Sequence, residues 1–242
     1  MRNTTYGAYL TQLTRFPRVF PVNCYLVRED DGLTLIDTGI PGSAPAILAA
    51  AERLGQPIRR IVLTHAHGDH LGSLDALHQL LPAAAVLISA RDARFLAGDR
   101  HLDPDEPQTP LRGGYQTTTT RPTATLSDGD RVGSLQVIDA PGHTPGHLAL
   151  LDPRDGTLIA GDAFQTRAGL AVAGTLRPLF PFPALATWHR PTALATARRL
   201  RALAPTRLAV GHGDVLEQPL AALDQAIAAA ARGLGETRSY GA

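Results

Sequence analysis

The sequence predicts an α/β fold, and three of its features support this prediction. Runs of aliphatic and β-branched residues alternate with segments of helical periodicity. Several of the β runs end directly in a histidine or an aspartate, which suits the rim of an open sheet. Two segments, 32–37 and 156–162, repeat a glycine, a β run and an acidic residue, and this likeness indicates a duplicated half. Two β-sheets packed face to face with helices outside fit these features, as other α/β layers also do.

The individual elements follow from aliphatic runs bounded by turn residues and from helix start and stop signals. Ser43 can cap a helix that Gly55 ends, and leucines recur at helical spacing between 71 and 81. The predicted strands are 19–27, 33–37, 58–63, 85–89, 135–139, 147–151, 157–160 and 208–210. The predicted helices are 43–54, 71–81, 90–96, 184–203 and 216–232.

The segment 98–123 differs from the rest of the chain. It is rich in proline, glycine, aspartate and threonine, and it contains four consecutive threonines at 117–120. A connection this long without periodicity is usually a functional loop. We expect it to form one wall or a lid of the functional site, within a single domain that spans residues 1–242.

The composition narrows the function classes. Hydrophobic residues make up 44% of the 242 positions and charged residues 19%, as in a soluble globular enzyme, and the net charge of +1 gives no strong attraction to nucleic acid or membranes. All 23 basic residues are arginine, which excludes a lysine Schiff base and a P-loop. The single cysteine, Cys24, is expected to be a buried structural thiol. Because we see no signal-peptide pattern and no apolar run of about 20 residues, we expect a cytoplasmic protein.

The most informative motif is the stretch 64–70, Thr-His-Ala-His-Gly-Asp-His, which directly follows an apolar run. It places three imidazoles and a carboxylate at the end of a predicted strand. This mixture of ligands suits zinc, iron or manganese better than calcium or magnesium. Further along the chain, His143, Asp162 and His212 each follow a predicted strand and lie beside glycines that allow close backbone approach. Side chains that arrive from several strand ends can complete one metal site.

The H-x-H-x-D-H pattern and these later segments resemble those of the metallo-β-lactamase superfamily over most of the chain. The resemblance implies a four-layer αβ/βα sandwich of two mixed β-sheets with helices outside. It also implies two divalent metal ions, with Zn²⁺ expected and iron or manganese as alternatives. The implied ligands are His65, His67 and His143 for the first ion, Asp69, His70 and His212 for the second, and Asp162 as a bridge between both.

Other residues receive roles by the same comparison or by their position. Asp37 resembles an aspartate that orients a ligand imidazole through its second nitrogen. His147 is expected to be structural. His78, His101 and His189 lack matching neighbours and are expected to be ordinary surface or core histidines.

Two ions held in this way favour hydrolysis by a hydroxide that they share, with Asp69 and Asp162 as catalytic carboxylates. Because a terminal carboxylate ligand keeps one oxygen free, we expect Asp69 to act as a proton shuttle. The Gly-x-Ser-x-Gly motif of a serine nucleophile is absent. Similarity to glyoxalase II and to acyl-homoserine lactonases suggests that an ester, lactone, thioester or amide-type bond of a small molecule is cleaved. Candidate pocket residues, with the hydrophobic core as an equal alternative for the apolar ones, are Tyr115, Phe164, Phe180, Phe182 and Trp188.

Alternative functions of the same fold stay open. A mononuclear iron dioxygenase, similar to persulfide dioxygenases, would need only two histidines and a carboxylate, for instance His65, His143 and Asp162. A nuclease similar to the tRNA 3′-end processing enzymes would need a basic surface for phosphates, which the net charge of +1 does not favour. A metal-binding protein without catalysis is a third alternative. The expected partner is a small-molecule substrate, with no nucleic acid and no membrane, and a homodimer is left open.

Overall fold

The computed structural model of the chain describes residues 1–236, in which two β-sheets pack face to face. In the first sheet, the strands lie side by side in the order of the sequence. The first four strands pair antiparallel and the last four parallel, so this sheet is mixed. Its strands are β1 (Arg2–Tyr6), β2 (Leu10–Arg15), β3 (Val22–Glu29), β4 (Gly32–Ile36), β5 (Ile58–Val62), β6 (Ala85–Ser89) and β7 (Ala124–Leu126).

The second half of the chain supplies the other sheet and a separate pair of short strands. The strands of this half are β8 (Arg131–Val132), β9 (Leu135–Asp139), β10 (Leu148–Asp152), β11 (Thr157–Ile159), β12 (Phe164–Gln165), β13 (Ala171–Val172), β14 (Arg207–Ala209) and β15 (Leu216–Glu217). The sheet has the order β15-β14-β11-β10-β9-β8, while β12 and β13 form a separate pair. Only β11 and β14 run parallel, so the second sheet is mixed as well.

Helices cover the outer faces of both sheets. They are α1 (Ala44–Leu54), α2 (Gly68–Leu71), α3 (Leu74–Leu80), α4 (Ala90–Leu96), α5 (Phe182–Leu185), α6 (Arg190–Ala202) and α7 (Leu220–Gly233). One apolar cluster joins α1 to α4 with the first sheet, another joins α6 and α7 with the second, and a third lies between the sheets. These layers confirm the predicted αβ/βα sandwich. Among residues 1–236, no helix has the length and apolarity needed to cross a membrane.

Most predicted elements are confirmed, but three predicted helices are shorter than expected. The helix predicted at 71–81 is interrupted, because α2 ends at Leu71 and α3 runs only from Leu74 to Leu80. The predicted helix 184–203 is broken: α5 ends at Leu185 and α6 begins only at Arg190. Pro191 has no N–H and is tolerated only in the first turn of a helix, so a continuous helix through this position is disfavoured. The chain is extended at His189, which is the N-cap of α6. The predicted helix 216–232 begins at Leu220, directly after Pro219, because the two residues of β15 pair with β14 instead.

Side chains of β3 tie the first sheet to the end of β14. The Tyr25 hydroxyl donates to the carbonyl of Val210 at 2.6 Å and accepts from its N–H at 3.0 Å. Asn23 Nδ2 donates to the same carbonyl at 2.8 Å and to that of Gly213 at 2.7 Å. The segment that follows β14 is therefore fixed by buried hydrogen bonds to the opposite sheet. Cys24 lies between these two residues and is buried, as predicted.

Replacing Tyr25 by phenylalanine should lower the free energy of unfolding by about 1–3 kcal/mol, because the buried N–H of Val210 loses its acceptor. Denaturant unfolding would measure this change. Tyr6→Phe is the matched control, since that hydroxyl makes one long hydrogen bond of 3.3 Å to Gln12 in a partly buried setting. An equal loss of stability in both variants would show that the hydrogen bond from Val210 to Tyr25 does not stabilise the fold.

Candidate metal centre

The structure brings the seven side chains of the implied ligand set together at one edge of the sandwich. The histidine motif follows β5, His143 follows β9, and His212 follows β14. Asp162 lies in the 3₁₀ turn that follows β11. Three overlapping groups have ligand atoms within 4.8 Å of one another. These groups are His65, His67 and His143; His65, His70 and Asp162; and Asp69, His70 and His212. The first and third are the two triads implied by the resemblance.

Hydrogen bonds on the outer side of the first triad fix which imidazole nitrogens carry lone pairs. His67 Nε2 donates to the carbonyl of Arg112 at 3.0 Å, so its Nδ1 carries a lone pair. His143 Nδ1 lies 3.2 Å from the Thr187 hydroxyl, whose own hydrogen is donated to Pro183 at 2.7 Å. The hydroxyl must therefore accept from Nδ1, which leaves a lone pair on His143 Nε2. His67 Nδ1 and His143 Nε2 face each other at 3.0 Å, and two lone pairs at this distance repel unless a cation lies between them.

Asp37 orients two of the imidazoles. One of its oxygens accepts from His70 Nδ1 at 2.8 Å and from the Thr64 hydroxyl at 2.8 Å. The Thr64 oxygen in turn accepts from His65 Nδ1 at 3.0 Å. His65 Nε2 and His70 Nε2 are then left pointing into the site, where both are buried without a hydrogen-bond partner in the described chain. A carboxylate that fixes the outer nitrogen of a metal-binding histidine is a recurrent arrangement in metal sites.

The second triad places imidazole nitrogens against a partly exposed carboxylate. Asp69 Oδ2 lies 3.8 Å from His70 Nε2 and 3.4 Å from His212 Nε2. The outer nitrogen of His212, Nδ1, lies 2.7 Å from the carbonyl of Pro21 and donates to it. The side chain of Asp69 is 30% exposed, so this triad opens onto the solvent side of the site.

Asp162 lies between the two triads. Its Oδ2 is 3.4 Å from His143 Nε2 and 3.2 Å from His212 Nε2, and its Oδ1 is 3.5 Å from His70 Nε2. The neighbouring backbone is packed so closely that a Cβ on Gly211 would lie 2.0 Å from Asp162 Oδ1, which only glycine avoids. One carboxylate thus contacts ligand nitrogens of both groups, as the bridging role requires.

The pKa shifts distinguish the two triads. Burial lowers the pKa of His65 and His143 well below the ordinary value and that of His67 to about 4, so protons do not relieve the first triad. Burial also acts to lower the pKa of His212, but Asp162 and Asp69 raise it to about 10, and the same carboxylates raise the pKa of His70. In the absence of metal, protons on these two imidazoles balance the carboxylates. A cation bound there would displace those protons.

The donor set therefore fits two divalent cations. The first triad offers three inward lone pairs in a place where protons do not bind, and the second offers two imidazoles and a carboxylate. Imidazole with carboxylate is the ligand mixture of zinc, iron and manganese sites. The orphaned buried atoms His65 Nε2, His70 Nε2 and Asp162 Oδ1 are those that such ions would satisfy.

The predicted pocket residues are only partly brought to the site. A cavity of about 300 Å³ lies over the triads, and Phe182 forms part of its wall. Phe180 is buried behind it, with its ring 5.7 Å from that of His212. Phe164 is fully buried in the core between the second sheet and its helices, and the structure does not place it on the cavity. Sequence reasoning missed Phe20, which lines the cavity and packs against Phe180 at 5.2 Å.

Tyr115 and Trp188 are both buried. The Tyr115 ring packs against that of His67 at 4.7 Å, and its hydroxyl has no hydrogen-bond partner among residues 1–236. Trp188 donates its indole N–H to the carbonyl of Thr109 at 3.1 Å and lines a neighbouring cavity. The loop 98–123 provides a wall of the metal cavity through Gly113 and Gly114.

The remaining histidines do not belong to the three ligand groups. His147 is buried and its Nε2 accepts from the N–H of Asp162 at 3.0 Å, so it holds the backbone of the bridging carboxylate. His101 is exposed beside Asp99, and His189 caps α6. His78 is partly buried near the end of α3.

A further carboxylate, Asp92 of α4, was not predicted from the sequence. It is fully buried and accepts from the N–H of Ala66 at 2.9 Å, the Thr144 hydroxyl at 2.8 Å and the N–H of Gly146 at 2.8 Å. Burial raises the pKa of Asp92 to about 6. The side chain thus fastens the loop of His67 to the loop that carries His143. In sequence it resembles any acidic residue in a first helical turn, so no local signal marks it.

Replacing Asp92 by asparagine should weaken metal binding by about 10–100-fold, because an amide offers one acceptor oxygen where the three donors need two. Competition with a chromophoric chelator would measure this affinity. Asp103→Asn is the control, since Asp103 pairs with Arg94 at the surface. If Asp92→Asn bound metal as tightly as this control, the fastening role would be wrong.

Comparison with known proteins agrees with the geometry. A family model described as the metallo-β-lactamase superfamily matches residues 17–212. The chain is 52% identical over 234 residues to the uncharacterized protein YobT of Bacillus subtilis (strain 168), covering 96% of this chain and 100% of YobT. It is 35% identical over 156 residues to a hydroxyacylglutathione hydrolase of Xanthomonas axonopodis pv. citri (strain 306), covering 64% of this chain and 51% of that enzyme.

Among solved structures, the crystal structure of TTHA1623 in a di-iron-bound form is similar, with a TM-score of 0.61 and 28% identity, covering 87% of this chain and 96% of that protein. The chain spans about half the length of the hydroxyacylglutathione hydrolase, whereas it matches nearly all of YobT and TTHA1623. The family match extends over more than half of the chain and includes every implied ligand. The chain belongs to the metallo-β-lactamase superfamily.

Proposed function

We propose that the protein is a dinuclear metal-dependent hydrolase that cleaves an ester, lactone, thioester or amide-type bond of a small molecule. The observation that carries this proposal is the pair of facing lone pairs on His67 Nδ1 and His143 Nε2, 3.0 Å apart, beside a second triad that shares Asp162. The similarity to a hydroxyacylglutathione hydrolase supports hydrolysis, and that to a di-iron protein supports two ions. The resident metal is proposed to be zinc, with iron or manganese as alternatives.

The chain would hold the two ions by its two triads and Asp162. When bound, such ions lower the pKa of water to about 7 and polarise a carbonyl group, so hydrolysis needs no serine or cysteine nucleophile. The residues Asp37, Thr64 and Thr187 keep the imidazoles in the tautomer that binds metal. The ligands His65, His70 and His143 are fully or almost fully buried, which excludes bulk water from the inner side of the site.

Asp69 is proposed to move a proton during the reaction. Its Oδ2 faces the imidazoles of His70 and His212, while the side chain is 30% exposed on the cavity. Oδ1 is therefore the oxygen able to reach substrate or water, and it can take a proton from the nucleophile and pass it to the leaving group. Asp162 is almost fully buried between the triads, so its proposed role is to hold both ions and not to exchange protons with solvent.

The cavity wall favours a substrate with an apolar part near the scissile bond. Together with ligand histidines, the cavity is lined by the apolar residues Phe20, Phe182, Pro183 and Leu185. Phe182 and Leu185 are 53% and 59% exposed, so they present apolar surface beside the metal centre. An acyl or lactone group would bury this surface.

Metal analysis of the purified protein should give two ions per chain, and chelation should abolish hydrolysis of a responsive substrate from a panel of lactones, thioesters, esters, β-lactams and phosphodiesters. Elemental analysis by mass spectrometry and re-addition of Zn²⁺, Mn²⁺ or Fe²⁺ would identify the active metal. One iron per chain together with oxygen uptake would replace this proposal with the dioxygenase alternative. Hydrolysis that survives thorough chelation would refute it.

Replacing Asp69 by asparagine should lower kcat by about 10²–10⁴-fold, since the amide keeps an oxygen for metal but cannot take up a proton. KM and metal content should change little. The exposed Asp105 of the 98–123 loop provides a control as Asp105→Asn. Unchanged turnover in Asp69→Asn would contradict the shuttle role. If the variant instead lost one metal ion, the effect on kcat would be explained by the loss of a metal ligand.

A further inference from the structure

A second cavity, of about 520 Å³, lies directly beside the metal cavity. Leu185 lines both cavities. The wall between them includes Thr187, whose hydroxyl holds His143, and Arg112, whose carbonyl holds His67. Because Leu185 is 59% exposed and borders both cavities, a molecule bound over the metal centre could reach the second cavity across this side chain.

The second cavity is basic. Arg112, His189 and Arg190 line it, and none of its thirteen lining residues is acidic. Neither Arg112 nor Arg190 forms an ion pair within residues 1–236, although many other arginines do. A cavity of about 370 Å³ on another face shows the contrast, because its Arg60 and Arg154 have acidic partners. Two guanidinium groups without carboxylate partners raise the affinity of a cavity for anions.

Neighbouring contacts show which donors the cavity offers. The stem of Arg190 packs over Gly174, where an added Cβ would lie 2.6 Å from its Cγ. Its Nη2 makes one long hydrogen bond, 3.3 Å, to the carbonyl of Gly233, so most of its donors stay available. His189 Nδ1 accepts from the N–H of Thr192 at 3.4 Å and lies 2.7 Å from that residue's hydroxyl. Its neutral form therefore carries the hydrogen on Nε2, which adds a third donor.

We propose that this cavity binds an anionic end of the substrate, a carboxylate or a phosphate, while the scissile bond lies over the metal centre. The inference rests on the proposed hydrolase function and defines its substrate class: acyl compounds with an acidic tail. Arg112 and Arg190 would contact the anion, and the apolar face of Trp188 would pack beside the connecting chain. These residues determine specificity and take no part in bond cleavage.

Paired substrates test the proposal. Each pair consists of a thioester or ester with a terminal carboxylate or phosphate and its neutral analogue of equal length. In the metal-loaded enzyme, Arg112→Gln with Arg190→Gln should raise KM about tenfold or more for the anionic member and less than about twofold for the neutral one, with kcat unchanged. Arg131→Gln, at the distant β8, is the control and should leave both unchanged. The preferred anionic member shows whether carboxylate or phosphate is the natural tail.

Binding can be measured without turnover because Trp188 is the single tryptophan of the chain and lines this cavity. Titration with glutarate or with inorganic phosphate should change its fluorescence in the metal-loaded protein, and the double arginine variant should lose the response. An inactive protein that still shows this response would disprove the hydrolase and keep the anion site. Equal KM values for both members of each pair, without a fluorescence response, would overturn the anion site while leaving the hydrolase intact.

Discussion

The site depends on electrostatic repulsion between atoms that the fold forces together. The outer hydrogen bonds to Arg112 and Thr187 leave His67 Nδ1 and His143 Nε2 with facing lone pairs, and burial prevents protons from relieving them. Such an arrangement stores unfavourable energy in the folded chain, which a bound cation converts into affinity. Folding and metal binding are then linked, because the hydrogen bonds and burial that hold these two imidazoles in the folded chain also leave a cation as the partner that can relieve their repulsion.

The two sheets must stay in register for this to work. The ligands follow the ends of four strands: β5 in the first sheet, and β9, β11 and β14 in the second. A small slide of one sheet along the other would therefore separate the ligands. Buried contacts prevent the slide. Tyr25 and Asn23 tie the first sheet to the segment after β14, and Asp92 ties the loop after β5 to that after β9. Hydrophobic packing is nondirectional and does not by itself fix how one sheet is positioned against the other. The buried hydrogen bonds between the apolar layers fix this position.

Much of the architecture and of the implied ligand set could be predicted from the sequence, because the informative residues are local. The motif 64–70 places four ligands within six residues. The helix α1 begins directly after Ser43 and ends before Gly55 as predicted, although the Ser43 side chain makes no capping hydrogen bond. The strands β1 and β2 were missed because they are rich in threonine and other polar residues. The strand β1 is largely exposed, and the buried β2 is held by distant contacts such as the hydrogen bond from Gln12 to the carbonyl of Gly213. Asp92 and Thr187 were missed because their roles arise from contacts 26 to 54 residues away.

The carbonyl of Arg112 holds His67 in place from a loop that also lines both cavities. In the proposed enzyme, substrate selectivity and metal geometry would depend on the same stretch of backbone. Remodelling this loop to accept another compound would disturb an imidazole at the centre of the site, whereas exchanging the guanidinium side chain alone would not. New preferences are therefore more accessible through side-chain replacement than through insertion or deletion in this region.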